Sequence, residues 1–194
     1  MNKKTVFAIV EWALIALLVW LVFREQAFPV LIGSSSPEKA FRQSESTYHY
    51  GPSTILRKVE VPGDDRQVIF LSKYKDWFSA HSVIKGRIGW RPGGGVAGVK
   101  IKPDKPLTYS WEGHGIKDGR MLLKFYGYVP DDRISTVELL KTDVETGKAA
   151  PLMEKLNADR MFLFRWEEES SRWEWSAIRG LDSNGQVVYE QKLN

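Results

Sequence analysis

The 194-residue chain carries 28 Lys and Arg against 24 Asp and Glu, a net charge of +4, and no cysteine. That excludes disulfides, thiol catalysis and thiolate metal sites, and charges of both signs without a Lys/Arg run exclude a nucleic-acid-binding stripe. Hydrophobic residues at 43% and aromatic residues at 12% are enough to build a core and argue against disorder.

The first element is "TVFAIVEWALIALLVWLVF", residues 5–23. As a helix these nineteen residues are roughly 28 Å long, close to the hydrocarbon thickness of a bilayer. A secretory signal has a shorter apolar region and a small-residue cleavage site. Here Ala27 has Glu25 at the minus-three position, a poor fit. The run therefore reads as an uncleaved signal anchor, the rival being cleavage near the "GSSS" stretch. Lys3 and Lys4 precede it, which by the positive-inside rule puts residues 1–4 in the cytoplasm and the remainder outside the cell membrane. Trp20 and Phe23 suit the outer headgroup layer. Glu11 is either protonated or bent toward the cytoplasmic headgroups, or else it contacts a partner helix.

Residues 24–36 read as a juxtamembrane linker and 37–194 as an extracytoplasmic β-rich domain. Ser36 is placed to cap a short helix, with Pro37 in its first turn, Glu38 at its positive end, and Ala40 and Phe41 as buried positions. The predicted helix covers Ser36–Glu45. Strands follow in "TILRKVEV", "QVIFLSKY" and "WFSAHSVIKGRIGW", rich in β-branched and aromatic residues. The first half is thus expected to be a helix on an antiparallel meander.

"RPGGGVAGVK" breaks the pattern and marks a possible seam at 91–98. A phosphate loop needs Gly-Lys-Ser/Thr opening a helix, and this segment opens a strand. Beyond it come "VAGVKIK", "PLTYSWE", "GRMLLKFYGYV", "ISTVELLK", "DRMFLFRWE", "WEWSAIRGL" and "QVVYEQKL". "PLMEKLNAD" reads as one helical turn. Asn184-Gly185 signals a two-residue hairpin. The fold class expected is mainly β: an N-terminal transmembrane helix, a short helix on a meander, then an immunoglobulin-like β-sandwich.

"SPEKAF", "KGRIGWRPGGGVAGVKI" and "IRGLDSNGQVVYE" together resemble the uncharacterised single-pass membrane-anchored ectodomain proteins of Gram-positive endospore-forming bacteria. The closing segment is similar to the last hairpin of bacterial immunoglobulin-like modules. The resemblance assigns no active residue.

No chemistry-bearing motif is complete. His49, His81 and His114 lack metal-ligand spacing and read as surface or turn histidines. Asp64-Asp65 and Asp131-Asp132 follow prolines and read as turn residues. "DSNG" matches part of a calcium loop, but Gln186 breaks it. No nucleophile elbow is present. The candidate binding residues are Trp166, Trp173 and Trp175 in "FRWEEESSRWEW". Phe164 and Trp166 share one strand face, Trp173 and Trp175 share one on the next, and the loop between lets the two strands pair. The cluster reads either as a stacking platform or as sandwich core.

The function expected is a binding or assembly module that needs no cofactor and no metal. It is held in the membrane through residues 5–23, with an envelope protein or cell-wall glycan as partner. The alternative is a cell-wall glycan hydrolase or modifying enzyme using dispersed carboxylates, which would need two of them facing across a cleft.

Overall fold

The computed structural model describes residues 3–23, 33–61, 64–94, 98–115, 120–169 and 173–193. Among these described residues two helices, α1 (Lys3–Phe23) and α2 (Pro37–Thr47), precede twelve strands. These are β1 (Thr54–Val61), β2 (Asp64–Tyr74), β3 (Trp77–Lys85), β4 (Trp90–Pro92), β5 (Val99–Lys100), β6 (Thr108–Gly115), β7 (Arg120–Tyr128), β8 (Thr136–Asp143), β9 (Ala149–Lys155), β10 (Met161–Glu169), β11 (Trp173–Leu181) and β12 (Val187–Lys192).

The described side chains of α1, Thr5–Leu21, are all exposed. That described part is shorter than the roughly 20 residues a span needs, and among the described residues no helix is long and apolar enough to cross a membrane. Residues 24–32 of the expected linker and 95–97 of the expected seam lie outside the described residues.

The Ser36 hydroxyl caps α2 by accepting from the Lys39 N–H at 3.2 Å. Pro37 occupies the first turn, where its missing N–H costs nothing. The helix runs two residues beyond its expected end. Ala40, Phe41, Ser44 and Glu45 are its buried face.

The strands form three sheets, antiparallel in every pairing. The first has the order β1-β2-β3-β4, with β5 also paired to β3; the middle sheet is β10-β7-β6; the last is β12-β11-β8-β9. Strand alternation gives each buried sheet two faces, and three cores result. Ala40 and Phe41 of α2 pack with Val68, Phe70 and Val83 on one face of the first sheet. Ile69, Leu71, Phe78 and Ala80 on its other face meet Tyr126 and Met161 of the middle sheet. The middle sheet's far face, with Phe125, Phe162 and Phe164, meets Val137, Leu139 and Ile178 of the last sheet. The order of layers is helix, sheet, sheet, sheet, and the last two make the sandwich. Each fully buried Phe or Leu contributes about 1.5–3 kcal/mol, so a chain without disulfides is held by these three interfaces.

Some local expectations are corrected. "PLMEKLNAD" is not a helical turn: β9 covers Ala149–Lys155 and pairs with β8. Pro151 is tolerated because β9 is an edge strand. The β11–β12 hairpin turns through a longer loop than Asn184-Gly185 alone. Gly185 takes the left-handed conformation at φ 78°, and Asp182 Oδ1 accepts from the N–H groups of Asn184 and Gln186. Asp64 and Asp65 open β2 rather than standing in the turn, while Asp131 does make turn chemistry, accepting from the Arg133 N–H at 3.0 Å.

Candidate functional site at the loop end of the sandwich

The middle and last sheets face each other with alternate residues inward. On β10 these are Phe162, Phe164 and Trp166; on β7, Phe125; on β6, Tyr109 and Trp111; on β8, Val137, Leu139, Lys141 and Asp143. On β11 a bulge between Trp175 and Ala177 shifts the alternation. It lets Trp175 and Ile178, an odd and an even residue, point into the same space.

The expected pairing of β10 with β11 is wrong. β10 pairs with β7, and β11 with β8 and β12. Trp166 and Trp175 nevertheless meet, across the sandwich instead of along a hairpin. Their ring centroids are 5.8 Å apart at 80°. Trp173 stands opposite Asp143 in the register of β11 with β8, and its side chain lies outside the described residues.

Trp175 is the hub of the cluster. It lies edge-on to Phe125 at 5.3 Å and to Trp111 at 5.0 Å, as well as to Trp166. Such edge contacts are worth about 0.5–1.5 kcal/mol each beyond area burial. Lys141 Nζ sits 4.7 Å from the Trp166 ring centroid, and Lys141 is buried on the inner face of β8. Trp166 and Trp175 are half-buried, whereas Trp111 is 55% exposed. The two readings of the tryptophans therefore divide between residues. Trp166 and Trp175 support, and Trp111 presents a free indole surface. Sequence reasoning missed Trp111, whose one signal was its place in the "TYSWE" alternation.

The ends of β6, β8 and β10 and the starts of β7, β9 and β11 all lie at this end of the sandwich. Asp143 is buried there, its carboxylate accepting from the N–H groups of Glu145 and Thr146 at 3.0 Å each. The arrangement suits a rigid, flat, apolar contact: the Trp111 indole for stacking, supported by Trp175, which in turn meets Trp166 with Lys141 over its ring.

Two further buried groups lie deeper. Lys124 on β7 crosses to the first sheet. Its ammonium donates to Ser82 Oγ at 2.8 Å and Ala80 O at 3.2 Å and pairs with Glu112. Burial pushes Lys124 down to about 7. His81 is not the surface histidine expected. It is 3% exposed on β3, its ring 5.8 Å from that of Phe41, because it occupies the face that α2 covers. Burial first, and the nearby Lys124 charge second, push it down to about 4. His49 is exposed just beyond α2; the His114 side chain lies outside the described residues.

Other carboxylates are held in ion pairs. Glu154 and Asp159 bind Arg57, Glu138 and Glu190 bind Arg179, and Glu45 binds Arg42. Among the described residues no group of three or more acidic or His side chains is placed to hold a metal ion. Comparison of the chain with family models, curated proteins and solved structures found no match.

Proposed function

We propose that this chain is a membrane-anchored binding module displayed outside the cell membrane, with an envelope protein or a cell-wall glycan as its partner. It belongs with the single-pass ectodomain proteins that its sequence resembles, and it works without a cofactor. Residues 5–23 are the anchor. Supporting this are the length of the run, its single carboxyl at Glu11, Lys3 and Lys4 before it, and the outward exposure of its described side chains all around the helix. The domain beyond it is read as an immunoglobulin-like sandwich with a helix-covered sheet on its back.

The observation that carries the binding reading is Trp111, more than half exposed yet fixed edge-on by Trp175 at 5.0 Å. An exposed tryptophan held by other tryptophans presents large apolar area at little entropic cost, the property of interface hot spots and of sugar-stacking surfaces.

The test uses the full chain in detergent micelles. Wild type and Trp111→Ala are compared for capture by insoluble cell-wall glycan and by solubilised envelope proteins. Capture by either, lost in the variant, supports the reading. Equal capture by both forms, or none by wild type, overturns it. Cleavage of the glycan by the wild-type chain would establish the hydrolase reading in its place.

A further inference from the structure

α2 ends in a motif that favours glycine. The His49 N–H bonds to Ser46 O at 3.3 Å and the Tyr50 N–H to Glu45 O at 3.0 Å, the paired bonds of a Schellman cap. Its left-handed position is held by His49, φ 53°, where glycine is the usual occupant. The β2–β3 hairpin turns on Lys75 and Asp76, and Lys75 is also left-handed, φ 53°. Two-residue hairpins favour Asn or Gly there. Two long side chains are thus kept at positions that glycine would relax.

Both line the same cavity of about 260 Å³, together with Tyr50, Tyr74, Trp77 and Gly98. Backbone strain of this kind concentrates where a side chain is needed for function. Gly98 fits the same pattern: a Cβ there would stand 2.3 Å from the Tyr50 ring, so glycine leaves that ring in place. Tyr50 and Tyr74 lie edge-on at 5.7 Å, Lys75 Nζ is 5.0 Å from the Tyr74 centroid, and Trp77 is 37% exposed. A second cavity sharing His49 and Tyr50 has Arg42 on its wall. The carboxylates beside these cavities are engaged: Glu45 by Arg42 and Ser53, Asp76 by Lys100 at 3.8 Å.

We propose that this cavity, on the first sheet and separate from the tryptophan cluster, is a binding site for an anionic sugar ring. Trp77 and the two tyrosines take the ring face, and Lys75 and His49 donate to its carboxylate or phosphate. Aromatic walls with a lysine and a histidine beside them select that chemistry. A volume below the roughly 300 Å³ where drug-sized pockets begin suits a single ring.

The full chain, in a detergent without a sugar headgroup, is titrated with glucuronic acid, glucose 6-phosphate and glucose by saturation-transfer NMR. At least one anionic sugar should saturate the site at least tenfold more tightly than glucose, and which one does so identifies carboxylate or phosphate. Lys75→Gly and His49→Gly should each weaken that binding tenfold or more while the melting temperature holds or rises. Trp77→Ala should abolish it. The proposal is overturned by no saturable binding of either anion, by glucose binding as tightly, by glycine variants that bind like wild type, or by glycine variants that both melt lower.

Discussion

Lys124 and Glu112 stand opposite each other on β7 and β6 and form an ion pair on the face of the middle sheet turned to the first. Only 1% of the Lys124 side chain is exposed, against 31% for Glu112. All three ammonium donors are used, on Glu112, Ser82 and Ala80 O. With its folded value lowered to about 7 and an unfolded value near 10.4, the unfolded chain holds more protons between those limits. Stability from this group therefore rises with pH across that window, by at most about 1.4 kcal/mol per unit. Urea unfolding at pH 7 and pH 9 should show wild type gaining on Lys124→Met. A constant difference would refute this.

His81 gives the acid counterpart. Its folded value near 4 lies below an unfolded value of about 6.5. The stability it contributes is complete above 6.5 and is lost as pH falls toward 4. His81→Leu should flatten the loss between pH 6.5 and 4, again by up to about 1.4 kcal/mol per unit. Acid unfolding curves that superimpose would show that another group governs the window.

The tryptophans should separate by role. Trp111→Ala should weaken partner capture by about 2 kcal/mol, roughly thirtyfold, with little change in melting temperature. Trp175→Ala removes a ring that touches three others and should destabilise the domain by about 3–5 kcal/mol. Melting and capture measured on the same two variants check both. A stable Trp175→Ala protein would show that the cluster is not a support.

How far the sequence leads depends on the range of the interaction involved. The Ser36 cap, the Pro37 turn and the strand β11 at "WEWSAIRGL" were legible because each depends on neighbours in the chain. The choice of partner strand was not. "FRWEEESSRWEW" has the alternation of two strands, but nothing local says that β10 joins β7 while β11 joins β8. The bulge after Trp175 also moves alternation by one residue, which a strict period of two hides. "PLMEKLNAD" clusters Leu152, Met153 and Leu156 as a helix would, yet pairing with β8 decides its form. His81 was misplaced because its burial comes from α2 packing over β3, and Trp111 was missed because its partner Trp175 comes from a different sheet.

Gly180 tests the packing between the last sheet and its connection. A Cβ there would lie 2.4 Å from Ile134 Cδ1, and Ile134 is fully buried. Gly180→Ala should cost about 1–3 kcal/mol by overpacking. Adding Ile134→Val, which removes that methyl, should recover part of the loss in a double-mutant cycle by chemical denaturation. Simple additivity of the two losses would contradict it.

Arg57 joins all three sheets, and its loss should be felt across them. From β1 it donates through Nη1 to Glu154 Oε1 of β9 at 2.8 Å, through Nε to Asp159 Oδ2 at 2.9 Å, and through Nη2 to Met161 O of β10. Glu154 Oε2 in turn accepts from the Leu163 N–H at 2.7 Å. The side chains are 22%, 20% and 12% exposed for Arg57, Glu154 and Asp159, so water screens them only in part. Arg57→Ala leaves two part-buried carboxylates without their cation and should cost about 2–3 kcal/mol, below the loss for a fully buried pair. Arg57→Lys keeps the charge but lacks the planar fork that reaches three acceptors, and should recover less than half of the loss. Removing Glu154 as well should show positive coupling in the cycle. Denaturation in low and high salt completes the test. A screened surface pair would lose its value at 1 M salt, where the Debye length is about 3 Å, whereas this network should keep most of it.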